Sequence, residues 1–228
     1  MHASASHYNA FNLWFYDYWV HTIFMTYLWG CATDEVTLPF FKSNIGPRHM
    51  DVGVGTGYYP VQVRKNEKEG KEPPQWPEQL LLVDLNSNCT NMAAARVGAE
   101  GCTRTLVTDI LRPIPEATKG EKYDSISLMN LLHCLPGSTE YKSRAFSNLK
   151  PFLKEDGTLF GGTILGKGVK HNILGKAIMW LFNYNGMFHN WGDGKEEFLR
   201  VLRQEFGNVE HVVVGRILLF TAKQPLKA

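Results

Sequence analysis

Residues 47–59 read Pro-Arg-His-Met-Asp-Val-Gly-Val-Gly-Thr-Gly-Tyr-Tyr. The pattern predicts a short strand over residues 49–54 that runs into glycines, with a helix starting at residue 59. Glycine tolerates positive φ and carries no Cβ, so backbone N–H groups at such a turn can approach a ligand closely. The competing reading is an ordinary glycine turn.

Working outward, residues 80–83 are Leu-Leu-Leu-Val and end in Asp84. A continuous apolar run of this kind suits a strand buried on both faces of a parallel sheet. Residues 103–107, 123–129 and 158–164 are further strand candidates, and residues 88–97, 139–152 and 196–206 are helix candidates. Phe198, Leu199, Leu202 and Phe206 share one face of the last helix. Residues 65–79, charged and proline-rich, read as a surface excursion. At the C-terminal end, residues 209–214 and 217–222 flank Gly215-Arg216, the pattern of an antiparallel hairpin. Strands alternating with helices predict an α/β, doubly wound, mostly parallel sheet.

Composition narrows the function classes. The 228 residues are 44% hydrophobic and 20% charged, enough apolar material for a core in one domain. Twenty-four basic residues against 22 acidic ones leave a net charge of +2, which argues against a dedicated nucleic-acid binder. Cys31, Cys89, Cys102 and Cys134 form no CxxC pair, and no Cys/His cluster has ligand spacing. A reducing, cytoplasmic setting and no metal are expected. Residues 11–29 approach the length of a membrane span, but Asn12, Asp17 and His21 interrupt them. A mid-bilayer charge costs about 3 kcal/mol on insertion scales. Leu13, Tyr16, Val20, Phe24 and Tyr27 recur at helical spacing instead, so an amphipathic helical cap over residues 1–36 is expected without stable membrane insertion.

The glycine spacing separates two cofactor classes. A dinucleotide fingerprint is GxGxxG. Here the pattern is GxGxG, and Tyr58 stands where the last dinucleotide glycine would be. Asp51, two residues before the first glycine, is awkward for a diphosphate but suits an ammonium group. The combination points to S-adenosylmethionine (SAM). Asp84 ends the second strand, where an acid can accept both ribose hydroxyls. Asp109 ends the third, where an acceptor can meet the adenine amino group. Each acid alone reads equally as a solvated strand end or a helix cap.

With these pieces the chain resembles the class I SAM-dependent methyltransferases. The resemblance is carried by HMDVGVGTGYY, LLLVDLN, LVTDI, YDSISLMNLLHCLP, DGTLFGGTIL and the terminal hairpin, over about residues 47–223. It implies a Rossmann-like seven-stranded sheet in the order 3-2-1-4-5-7-6, with strand 7 antiparallel. It also implies that Gly53, Gly55 and Gly57 wrap the methionine part of SAM. Asp84 with Leu85 would hold the ribose, Asp109 with Ile110 the adenine, and Asn130 with Leu131 the methyl-donor side.

The acceptor side falls on the cap and on residues 166–194, both rich in aromatics. Tyr16, Trp29, His133, Tyr184 and His189 are the expected substrate contacts, a set that fits an apolar or aromatic small molecule. His133, just after Asn130, is the first candidate for a base, with His189 and His171 next. Plain core packing is the alternative for each. The oligomeric state and the atom that receives the methyl group are not legible. Two other functions remain open: SAM-assisted chemistry without methyl transfer, such as a cyclisation, and a partner-binding or membrane-peripheral module.

Overall fold

Leu80 and Leu82 face one side of the sheet and Leu81 and Val83 the other, and all four are buried. That alternation on two apolar faces is what a central parallel strand requires. In a computed structural model of the chain, which describes residues 17–70, 76–98, 101–114 and 120–227, the run forms strand β2 (Gln79–Asp84). It pairs in parallel with β1 (Arg48–Val52) on one side and β3 (Thr103–Val107) on the other. Strands β4 (Tyr123–Met129) and β5 (Leu153–Ile164) continue the sheet in parallel beyond β1. The hairpin β6 (Phe206–Val214) and β7 (Ile217–Pro225) closes it, with β7 antiparallel to β5. The order is β3-β2-β1-β4-β5-β7-β6, the expected one.

Helices cover both faces. On one, Phe146 and Leu149 of α5 (Arg144–Leu149) and Phe198, Leu199 and Leu202 of α7 (Lys195–Glu205) pack on Leu81, Val83, Ile126 and Leu159. On the other lie α2 (Tyr58–Lys68), α3 (Ser87–Val97), α1 (Leu38–Asn44) and the N-terminal segment. The short α4 (Thr139–Lys142) precedes α5.

Three elements depart from the sequence expectation. The helix expected over residues 139–152 is split into α4 and α5. At the break the Ser143 hydroxyl donates to Thr139 O at 2.7 Å. The adjoining Lys142 turns inward to Asp193, 2.6 Å away. Residues 166–194 contain a helix that was not expected, α6 (Ile173–Tyr184), capped by the Asn172 side chain, which accepts from Gly175 N at 2.6 Å. The cap segment Tyr18–Leu28 is a helix with i→i+5 hydrogen bonds, such as Trp29 N–H to Phe24 O at 2.9 Å. Its wider turn rotates the buried face. Tyr27, expected inside, is exposed, whereas Met25, Leu28 and Trp29 are buried. Leu13 and Tyr16 lie outside the described residues. Among the described residues, no helix is long and apolar enough to cross a membrane.

Candidate active site

The carboxyl ends of β1, β2, β3 and β4 open onto one cavity, the edge at which open α/β sheets bind ligands. The glycine loop after β1 forms its floor. Gly53 (φ +72°), Gly55 (φ +52°) and Gly57 (φ +74°) all take left-handed conformations that favour glycine. They do different things. A Cβ on Gly53 would lie 2.6 Å from Leu131 Cδ1, and one on Gly57 2.9 Å from Ala93 Cβ. Gly57 does not line the cavity; it lets α2 start close against α3. A Cβ on Gly55 would meet nothing within 4 Å, so it would stand in the open cavity.

Asp51 sits at the end of β1 and is buried. A polar chain within the sheet holds it. Gly46 N–H donates to Ser125 Oγ at 2.8 Å, Ser125 Oγ lies 2.7 Å from His49 Nδ1, and His49 Nε2 lies 3.2 Å from Ser127 Oγ. Ser127 in turn donates to Asp51 Oδ1 at 2.5 Å. With the Ser127 proton committed to an ionised Asp51, His49 must carry its own proton on Nε2. Burial raises the Asp51 pKa from 3.8 to about 6; the Ser127 bond opposes the rise and the Asp84 charge adds to it. Neither His49 nor the two serines was singled out from the sequence, because polar residues on a central strand give no signal until their partners across the sheet are known.

Asp84 accepts from Gly55 N at 3.1 Å through Oδ2 and from Asn86 N at 2.9 Å through Oδ1. Each oxygen keeps acceptor capacity for a further donor. Burial moves its pKa upward too. Asp109 Oδ1 accepts from Leu111 N at 3.0 Å, with Arg112 Nε 3.6 Å from its other oxygen. Asn130 stands at φ 55°, fixed by its N–H to Gly162 O at 2.8 Å. Its Nδ2 donates to Tyr59 Oη at 3.2 Å, and its buried Oδ1 has no hydrogen-bond partner.

Of the expected cofactor residues, all but Gly57 line this cavity: Asp51, Gly53, Gly55, Asp84, Leu85, Asp109, Ile110, Asn130 and Leu131. A buried Asp51 and a half-buried Asp84, whose charge raises the proton affinity of Asp51, favour a cationic occupant and oppose a diphosphate. The residues therefore fit SAM, which carries an ammonium and a sulfonium and no phosphate.

The expected acceptor side needs correction. His133 is buried behind β5, with Nδ1 accepting from Ile164 N at 3.3 Å and the ring against Phe188 at 4.5 Å. Burial, helped by the Lys142 charge, lowers its pKa to about 3. It does not line the cavity and is ill placed to act as a base. Trp29 is buried in the apolar cluster between the cap and the sheet, against His171 and Phe188. Tyr184 is exposed and stacks on Trp180. His189 faces a separate shallow depression beside Tyr184 and Trp191. Tyr16 lies outside the described residues. The cavity instead receives Val20 and His21 from the cap, with Tyr58, Tyr59, Cys134 and Leu135. The one sequence signal for His21 was a polar residue interrupting an apolar run. Among the described residues no group of three or more His, Cys, Asp or Glu could hold a metal.

A cation-seeking cavity at this edge of a sheet wound in this order defines the class I SAM-dependent methyltransferases. No family model matches the chain. Named relatives do. Methyltransferase verB of Penicillium polonicum is 63% identical over 227 residues, 99% of this chain and 100% of that protein. The physcion biosynthesis cluster O-methyltransferase of Aspergillus chevalieri is 43% identical over 218 residues, 96% of this chain and 93% of that protein. Among solved structures, the DhpI–S-adenosylhomocysteine complex superposes with a TM-score of 0.64 at 12% identity, over 99% of this chain and 97% of that one. The chain belongs to the class I SAM-dependent methyltransferases.

Proposed function

We propose that the protein moves the methyl group of SAM to a hydroxyl oxygen of an apolar or aromatic small molecule. The observation that carries this is the division of the cavity: two acids, the buried Asp51 and the half-buried Asp84, at its sheet side, and Val20, Tyr58, Leu135 and Pro136 around the rest. The choice of oxygen rests on relatives, such as the physcion-cluster protein, that are named O-methyltransferases.

Bound SAM supplies an electrophilic methyl group on a sulfonium. The chain's own part is binding, alignment and exclusion of water. Asp51, aligned by Ser127 and His49, accepts from the amino-acid ammonium. Asp84 uses its remaining acceptor capacity for the ribose hydroxyls, Asp109 and Ile110 flank the adenine, and Asn130 and Leu131 border the methyl-donor side. The N-terminal segment covers the site as a lid. Asp17 anchors it to the glycine loop, accepting from Thr56 Oγ1 at 2.5 Å. Closure of this kind excludes water from the reacting centre.

The test is calorimetry of SAM binding to wild type, Asp84→Ala and the exposed-site control Glu210→Ala. A hydrogen bond to a charged group is worth about 1.5–3 kcal/mol. Asp84→Ala should therefore weaken SAM by at least roughly tenfold, while the control binds as wild type does. Equal affinity in all three would remove the ribose assignment.

A further inference from the structure

Among the described residues of the N-terminal segment, His21 is the titratable side chain at the cavity wall. Thr33 Oγ1 donates to its backbone carbonyl at 2.6 Å, which fixes the residue in place. Its ring lies flat on Tyr58, with centroids 3.7 Å apart and planes 8° apart, and meets the edge of Tyr59 at 5.5 Å. The residue is 7% exposed, and Nδ1 has no hydrogen-bond partner.

Its position relative to the sheet tells which end of the ligand it meets. Asp84 ends β2 and Asp109 follows β3, toward one edge. Tyr58 and Tyr59 follow β1, and Tyr59 Oη is bonded to Asn130 at the end of β4. His21 therefore stands over β1 and β4, at the end of the cavity away from the adenine-side acids. The same end holds Asn130 Oδ1, also without a partner. Buried polar atoms left without partners are costly, and where such residues line a cavity its occupant can supply the missing bond.

Resting on the methyl-transfer reading above, we propose that His21 contacts the methyl acceptor and fixes its hydroxyl by a hydrogen bond to the imidazole. The alternative occupant, the carboxylate of the cofactor's methionine part, would pair best with a cationic ring. The surroundings oppose that charge, because burial and the Arg96 guanidinium both lower the His21 pKa, to about 3. Arg96 is itself committed to Asp17 and to Thr56 O. A neutral imidazole, with one donor and one acceptor nitrogen, can bond a hydroxyl in either sense, since a hydroxyl both donates and accepts.

His21→Phe keeps the ring between Tyr58 and Tyr59 and removes both nitrogens. With naphthol as acceptor, release of S-adenosylhomocysteine should fall roughly ten- to a hundredfold in kcat/KM, the size of one lost hydrogen bond at a buried site. SAM affinity by calorimetry should stay at the wild-type value, and His21→Gln should recover part of the rate. Wild-type turnover in His21→Phe, or a loss of SAM affinity as large as the loss of rate, would overturn the assignment. A second measurement does not depend on a variant folding. In wild-type protein saturated with S-adenosylhomocysteine, naphthol should shift the imidazole nitrogen resonances of His21, and unchanged resonances would also overturn it. Failure of wild type to methylate naphthol while binding SAM strikes the hydroxyl-acceptor reading itself, and is thereby distinguished from failure of the His21 assignment.

Discussion

Asp17 Oδ2 lies 2.7 Å from Arg96 Nη2, so a residue of the N-terminal segment is ion-paired to the helix that follows β2. Arg96 Nη1 also donates to Thr56 O at 2.7 Å, and Thr56 returns its hydroxyl to Asp17. The three residues close a ring over the glycine loop. Asp17→Ala and Arg96→Ala should each lower stability by about 1–2 kcal/mol, a value between exposed ion pairs and buried charged hydrogen bonds. The double variant should cost less than the two singles added, because the partners are shared. If the segment acts as a lid, Asp17→Ala should also raise the KM for the acceptor. Additive losses in a thermal-melt cycle would show that the pair is not coupled.

The glycine loop separates cofactor space from packing space. Gly55→Ala should fold with a penalty of roughly 1–2 kcal/mol for a non-glycine residue in the left-handed region, because its Cβ meets no protein atom. It should nevertheless lose SAM binding. Gly57→Ala should fail earlier, in folding, because its Cβ would press on Ala93. Circular dichroism beside calorimetry distinguishes the two, and unimpaired SAM binding by Gly55→Ala would contradict the cradle.

If Asp51 receives the SAM ammonium, SAM binding should be pH-dependent. Its pKa in the fold, about 6, lies above the ordinary 3.8, so free protein holds this proton up to about pH 6. A cationic ligand needs the carboxylate ionised. SAM affinity should fall about tenfold per pH unit below roughly pH 6 and level off above it. The linkage to stability has a defined sign. The raised pKa stabilises the unliganded fold most below pH 4, and that contribution declines by about 3 kcal/mol as pH rises through 6. The buried His21, His49 and His133, whose pKa values are lowered to about 3, act in the opposite direction, losing stability as pH falls below 6.5. The Asp51 part is therefore read as the difference between wild type and Asp51→Asn in denaturant titrations across this range. A pH-independent difference would contradict the assignment.

How much of this was legible depended on whether the signal was local. Residues 80–83 had to be a strand with two buried faces, and the two-residue link at Gly215-Arg216 had to close a hairpin; the register Val214↔Ile217 is what that link allows. The sheet side of the cavity was legible for the same reason, since the glycine loop and the acids at or just after the strand ends are placed by the chain next to them, and all the expected cofactor residues but Gly57 line it. The residues expected on the acceptor side do not gather there. Tyr27 turns outward because the cap turns with i→i+5 bonds, and no residue pattern announces that geometry; Trp29, expected to face inward as a substrate contact, is buried but packs against His171 and Phe188 instead of lining the cavity. His133 follows Asn130 closely, but the short turn Leu132–Cys134 directs its ring behind the cavity toward Phe188. His21 gained its place only through contacts with Tyr58 and Tyr59, far along the chain.

The most direct test of methyl transfer to a small-molecule hydroxyl is product analysis with SAM carrying a heavy-isotope methyl group. Purified protein is incubated with labelled SAM and a set of hydroxyarenes that includes naphthol, and the products are separated and weighed by mass spectrometry. The account predicts a product bearing the labelled methyl on oxygen, with one S-adenosylhomocysteine formed per product. A rearranged product without the label, formed while SAM remains intact, would contradict it and point to chemistry that uses the bound sulfonium without transferring its methyl group.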